Sequence, residues 1–347
     1  MRTAFFRCGA QKYAGTVASI PGFSDGGGLY ESAPFAHLDE SDAVRIARDT
    51  FGITATRADR LDTERDDSFR LVTATADFVL KVAHPDDPAA AINLQTAALQ
   101  HAAGSDAELP LQRVHPSADG RVEPVVDGRI ARLLDWIPGT PLYQLRPDDT
   151  QLAQLGGSLA RLSRALRGFS HPAASRPFAW DVLRAADLRP LLDDLPNAPA
   201  AEALRRLERD VLPHAGQLPM QVIHNDFHPG NVLVDAASEN FVVGILDFGD
   251  TVHTARVADV AVAASYLLFP GGHTWRELET FIDGYGRVAG LSALERSVIL
   301  PLAGARFAQR ILVNWWLGRG NPDDRAATTL ARDGNTAALA ALLDTEN

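Results

Sequence analysis

The chain has 347 residues, 46% of them hydrophobic and 22% charged, which is enough for two lobes with a substantial core. The formal charge of −11 argues against a nucleic-acid footprint and mildly favours a cationic small molecule. No apolar run reaches a membrane span, and no extended apolar segment follows Phe5 and Phe6 as a secretory leader requires. A single cysteine, Cys8, permits no intrachain disulfide, so a reducing cytoplasm is the expected setting.

Residues 1–38 carry Gly26-Gly27-Gly28 and scattered aromatics without a sustained period. They read as a poorly ordered tail. No strand precedes the triple glycine and no helix follows it, so it is not a phosphate loop. Residues 41–51 read as a helix capped by Ser41, with an apolar face at 43, 44, 46, 47 and 51 and a stop at Gly52. A charged loop then leads to a short apolar run, a turn over 74–77, and the strand Phe78-Val-Leu-Lys-Val82. Together these predict an antiparallel hairpin. A helix over 89–103 and strands over 112–115 and 129–136 follow. The run Leu133-Leu-Asp-Trp-Ile-Pro-Gly139 ends in an extended Pro-Gly segment that suits a hinge.

Beyond residue 146 the periodicity is mostly helical, with leucines at 152, 155, 159, 162 and 166 spaced by three and four. Further helices are expected over 180–195, 200–212, 255–268, 275–289 and 293–316. The order predicts an α+β fold. A tail (1–38) precedes a small antiparallel-sheet N-lobe (39–137), and a larger, mostly helical C-lobe (138–347) follows.

Two polar loops interrupt the helical half. The first is Val222-Ile-His-Asn-Asp-Phe-His-Pro-Gly-Asn-Val-Leu-Val234, and the second is Val242-Val-Gly-Ile-Leu-Asp-Phe-Gly-Asp250. Each is fed by a short apolar strand, so the pair is expected to form a hairpin around a site. Phosphoryl transfer requires one aspartate to accept a hydroxyl proton, an asparagine five residues later, and an aspartate in Asp-Phe-Gly to hold Mg²⁺. Asp226, Asn231 and Asp247 have that order and spacing. His224 and His228 are four apart, as zinc ligands on a helix would be, but Pro229-Gly230 removes the helix. His224 reads instead as a brace of the loop.

Among the 33 basic residues only Lys12 and Lys81 are lysines. A chain that uses arginine almost everywhere has kept a compact ammonium on an apolar strand. Lys81 is therefore the candidate contact for nucleotide phosphates.

These residues carry a resemblance. The catalytic-loop stretch 223–234, the segment Ile245-Leu-Asp-Phe-Gly249 and the strand lysine resemble the aminoglycoside phosphotransferase and choline kinase family, over roughly residues 40–320. The resemblance implies a two-lobed protein-kinase-like fold, ATP or GTP as donor, Mg²⁺ held by Asn231 and Asp247, and a small-molecule acceptor. From the charge and the short apolar runs, no membrane or nucleic-acid partner is expected. The resemblance also implies that Asp259, in Arg256-Val-Ala-Asp-Val-Ala261, braces the catalytic loop. Thr63-Glu-Arg-Asp-Asp-Ser-Phe69 is similar to the loop that stands in for a glycine-rich phosphate loop in hydroxylysine kinase-like proteins. That similarity implies nucleotide contacts from Ser68, Phe69 and the backbone N–H groups of 66–69, with Asp135 and Trp136 at the hinge.

The chain departs from the pattern at one point. The helix after the lysine strand usually offers an acid to the lysine, and here Asn93 stands at that place with Gln95 nearby. For the acceptor, Asp250, Trp180, Trp315 and Trp316 are the candidate walls of an ammonium pocket. A hydroxylysine-like amino alcohol is the favoured acceptor. An aminoglycoside, a homoserine-type substrate or a non-catalytic nucleotide-binding module are the alternatives.

Overall fold

The computed structural model describes residues 35–63, 65–268, 272–318 and 325–345. Most of the expected tail, with Cys8, Lys12 and Gly26 to Gly28, lies outside the described residues. Its last residues are described, and they pack on the small lobe. The ring of Phe35 lies 4.4 Å from that of His84, and the Arg129 guanidinium stands 4.8 Å from the Phe35 centroid.

Helix α1 (Glu40–Phe51) is capped by Asp39, not Ser41. The Asp39 carboxylate accepts the N–H of Asp42, whose own side chain accepts from the Asp39 backbone, and the Ser41 hydroxyl donates to Asp39. A carboxylate at this position also suits the positive end of the helix dipole. Gly52, at φ 70°, closes the helix as expected.

The small sheet comprises β1 (Arg57–Arg60), β2 (Asp67–Val72), β3 (Phe78–Val82), β4 (Val114–His115), β5 (Val125–Val126) and β6 (Arg129–Asp135). Its order is β1-β2-β3-β6-β4 with β5 beside β6, and every pairing is antiparallel. Helix α2 (Ala89–Ser105) joins β3 to β4. Alternation sorts the two faces. Phe69, Leu71, Leu80, Ala131 and Leu133 bury against Ile46, Ala47 and Phe51 of α1. On the opposite face, Ser68, Lys81 and Arg132 stand abreast on β2, β3 and β6. Strand β2 begins earlier than the sequence reading placed it, so Asp67 to Phe69 belong to the strand rather than to a phosphate-covering loop.

Beyond the sheet lie β7 (Thr140–Pro141), α3 (Asp149–Ala165), α4 (Leu191–Asp194) and α5 (Ala198–Arg206). The single helix expected over 180–195 is instead a 3₁₀ segment, Val182–Leu188, followed by the short α4. Pro190 between them supplies no N–H and ends the first segment. Strands β8 (Met220–Ile223), β9 (Val232–Val234), β10 (Val242–Ile245) and β11 (Val252–Ala255) carry the two polar loops. They do not form one hairpin. β8 pairs with β11, while β9 pairs with β10 and β7. The chain ends in α6 (Val257–Leu267), α7 (Trp275–Ala289), α8 (Ala293–Gly318) and α9 (Arg325–Asp344).

Every residue of α6 is buried. Helices α3 and α7 touch backbone to backbone at Gly156 and Gly284. A Cβ on Gly156 would enter the carbonyl of Phe281, and one on Gly284 the carbonyl of Ala153. One continuous core runs through α3, α6, α7 and α8 and reaches the cleft through Val79 and Leu134.

Candidate active site

Strand β8 delivers the first polar loop at its C-terminal end. Asp259 of α6, fully buried, accepts the N–H of His224 at 3.1 Å and of Asn225 at 2.6 Å. Those two bonds hold Asn225 at φ 66°, a left-handed conformation that asparagine tolerates better than most residues. The Asn225 amide also donates to the Trp180 carbonyl at 3.2 Å. His224 is equally buried. Its Nε2 lies 3.0 Å from the Leu246 carbonyl, and its Nδ1 accepts the Asp226 N–H at 3.2 Å. Burial lowers its pKa to about 4, so the ring is neutral and ties one polar loop to the other. With both nitrogens committed, His224 is not a metal ligand.

Asp226 follows this brace. The Asn231 amide donates to its Oδ2 at 2.8 Å and to its carbonyl at 3.1 Å. Arg306 Nη2 stands 3.6 Å from Oδ1, and His228 Nε2 3.5 Å from Oδ2. Burial raises the Asp226 pKa, against the opposing charge of Arg306. The Asn231 nitrogen is spent on Asp226, which leaves the Asn231 oxygen for another partner.

Asp247 comes from the end of β10 and also takes a positive φ, 61°. Its Oδ1 accepts the Gly249 N–H at 2.9 Å, and its Oδ2 lies 3.5 Å from Lys81 Nζ across the cleft. The Lys81 ammonium outweighs burial and holds the Asp247 pKa down to about 2. An amide oxygen and an ionised carboxylate are hard donors, and they fit a small divalent cation such as Mg²⁺.

On the small-lobe side, Lys81 Nζ also lies 3.6 Å from Asp66 Oδ2. Asp66 is in turn 3.4 Å from Arg132 Nη2, and Arg132 Nη1 donates to Gln95 of α2 at 2.9 Å. Asn93 takes no part. It bonds Glu123 and His171, each at 3.1 Å. The sequence points to the backbone of Asp66 but not to its carboxylate, and Arg132, just before Leu133-Leu-Asp-Trp136, gives no sign of its role. The available signal was an acid in the charged loop, whereas the base directly across the ladder from Lys81 emerges only from the strand pairing. Apolar Leu99, Val114, Leu134 and Phe248 line the same cleft beside Lys81, Arg132 and Asp247.

The four other residues expected at the nucleotide are placed differently. Ser68 faces Lys81 across the ladder, buried, with its hydroxyl unbonded. Phe69 does not reach the cleft, because alternation sends its ring into the core under α1. Asp135 lies on that same outer face, where its carboxylate engages His115 and the Arg113 N–H. The Trp136 backbone N–H donates to the Asp77 carbonyl, and its half-buried ring packs against the main core under the Arg70 guanidinium, 4.4 Å from the ring.

On the acceptor side, Asp250 is half-buried, and among the described residues none makes a hydrogen bond to its side chain. Burial and the neighbouring Asp226 charge raise its pKa. The Trp180 ring lies under Arg306, 4.7 Å from its guanidinium carbon. Trp316 is only 4% exposed and belongs to the helical core, so it is no pocket wall, while Trp315 packs half-buried against that core.

The model of the phosphotransferase enzyme family matches residues 59–296, and the chain belongs to that family. Hydroxylysine kinase of Danio rerio is 24% identical over 306 residues, covering 82% of this chain and 84% of that protein. Hydroxylysine kinase of Mus musculus is 27% identical over 198 residues, a match that spans about half, 53%, of each chain. Among solved structures, a microcompartment-associated aminopropanol kinase shares the fold at TM-score 0.66 and 18% identity, covering 87% of this chain and 96% of that one. An amicoumacin kinase in complex with AMP-PNP and Ca²⁺ does so at TM-score 0.66 and 13% identity, covering 86% and 94%.

Proposed function

We propose that the protein is a kinase that transfers the γ-phosphate of ATP or GTP to the hydroxyl of a small, amine-bearing acceptor. The observation that carries this reading is the convergence, across one cleft, of Lys81 on Asp247 at 3.5 Å and of Asn231 on Asp226 at 2.8 Å. Phosphoryl transfer requires positioning and charge neutralisation more than covalent chemistry, and these four side chains supply both. Asp226 receives the acceptor hydroxyl and takes its proton. The Asn231 amide holds the Asp226 carboxylate in one rotamer. Lys81 meets the phosphates. Asn231 and Asp247 would hold Mg²⁺, whose positive charge offsets that of the phosphates. A cytoplasmic setting, with nucleotide at hand, fits the reading.

The amine preference rests on Asp250. An acid that feels the charge of the base and has no hydrogen-bonding partner among the described residues suits an ammonium group, which would draw off its proton. The relatives named hydroxylysine kinase and the fold neighbour named aminopropanol kinase point the same way. We therefore place a hydroxylysine-like amino alcohol ahead of ethanolamine, choline, homoserine and aminoglycosides. Steady-state kinetics across those five acceptors and an uncharged alcohol tests the order. The highest kcat/KM is expected for hydroxylysine, with KM raised in Asp250→Asn. A preference for an uncharged alcohol, or an unchanged KM in Asp250→Asn, would refute the proposal.

A further inference from the structure

We propose that Asp66, clamped by Arg132, is the positioning residue that holds the Lys81 ammonium at the phosphate site, in place of an acid on α2. The inference rests on the kinase reading and concerns its nucleotide half. Lysine is a point charge on a flexible four-carbon stem, so its position is set by the anions around it. Lys81 Nζ lies between two, Asp247 at 3.5 Å and Asp66 at 3.6 Å. With Asp247 alone, the ammonium would settle on the carboxylate that the cation requires. Asp66 pulls from the other side and keeps Nζ between the strands and the cleft.

Asp66 is itself held. Arg132 stands directly across the ladder from Lys81, and its guanidinium bridges Asp66 at 3.4 Å to Gln95 of α2 at 2.9 Å. Asp66 and Arg132 side chains are 14% and 6% exposed, so water screens this bridge far less than it would a surface ion pair. The loop behind Asp66 is pinned as well. The Thr63 hydroxyl donates to the Asp66 carbonyl at 2.7 Å, and Arg65 pairs with Asp87 at 2.7 Å. Helix α2 is thus linked to Lys81 through Gln95, Arg132 and Asp66, without a carboxylate of its own.

The test has a built-in sign. An acid near the phosphates repels them, so if Asp66 acted only through its charge, Asp66→Asn would tighten ATP binding. Positioning predicts the reverse. The full chain is titrated with Mg²⁺–ATP and with adenosine, which lacks phosphates. Asp66→Asn is expected to weaken ATP on the order of tenfold, the scale of one charge-assisted contact, and to leave adenosine unchanged. In a Lys81→Met background the same substitution is expected to cause no further loss, because its target is gone and only the repulsion is left to relieve. Arg132→Gln should weaken ATP less and should likewise cause no further loss in Lys81→Met.

Asp66→Glu, which keeps the charge, should retain most of the affinity, and it separates loss of position from loss of fold. Unchanged or tighter ATP binding in Asp66→Asn overturns the inference. So does an equal loss for adenosine, or any further loss in the Lys81→Met background from either substitution. Wild-type protein that binds no nucleotide overturns the kinase reading, and this inference with it.

Discussion

Replacing Asp259 by asparagine changes one atom of a residue that touches no substrate, yet it should be among the costliest single substitutions in the large lobe. Both Asp259 oxygens accept backbone N–H groups, from His224 at 3.1 Å and Asn225 at 2.6 Å. The asparagine amide offers one oxygen and one NH₂, so a donor must face a donor. The loss is one bond to a charged acceptor, ~1.5–3 kcal/mol, plus an orphaned buried N–H, ~1–3 kcal/mol. Little of this can relax, because α6 is buried along its whole length and Asn225 relies on the same bonds to hold φ 66°. The sum, ~2.5–6 kcal/mol, corresponds to a Tm lower by roughly 5–15 °C in a lobe of this size. Intrinsic fluorescence melting reads it, since Trp180, Trp275, Trp315 and Trp316 all lie in the helical half. Turnover should fall with the distortion of the Asp226 loop, while nucleotide affinity, set largely across the cleft, should hold. A Tm within 2 °C of wild type, on the scale of less than ~1 kcal/mol, would refute the bracing argument.

Asp226→Asn should retain folding and nucleotide binding and lose about 10²–10⁴-fold in turnover, the usual worth of a general base, as steady-state assay on the best acceptor will show. Asp247→Ala should abolish the Mg²⁺ dependence of nucleotide affinity, which titration with and without the metal measures directly. Asp67 should make the small lobe acid-labile. Its burial, which raises the pKa, is overcome by Arg60, Arg129 and His37, leaving it at about 2 against an unperturbed 3.8. The resulting ~2 kcal/mol of stability is complete above the unfolded carboxylate range and is lost as pH falls through about 2. Asp67→Asn should flatten that acid limb in denaturation measured from pH 5 to pH 2.

The helical half was readable because its leucine spacing and caps speak locally, and α7 was placed to the residue, Trp275–Ala289. Asp226, Asn231 and Asp247 lie in two short stretches, which made their grouping legible, and the structure brings Asn231 onto Asp226 and Lys81 onto Asp247. What escaped was decided by partners distant in sequence. Whether Phe69 faces the cleft depends on where β2 begins, and a shift of one residue exchanges the two faces of the strand. Asp135 was quoted for its place at the hinge, yet its side chain follows the alternation of β6 to the outer face. The β8–β11 pairing could not be read, because Val252–Ala255 is short and its partner lies before the intervening loops. Chain order points to α2 for the partner of Lys81, because that helix follows the lysine strand, whereas the acid comes from the loop before β2.

The two faces of the small sheet have a consequence for cooperativity. Lys81 rides on a sheet whose outer face forms its own core with α1, whereas the Asp226 loop is bonded to a helix inside the main core. Amide hydrogen exchange should then resolve two units. The N–H groups of α6 should exchange only on global opening. Those of β2 and β3 should exchange through a smaller, local event that leaves the Asp226 loop assembled. A nucleotide bridging the cleft would slow both classes, because global opening releases it as well as local opening does, and slowing of α6 without slowing of β2 and β3 would refute the two-unit reading.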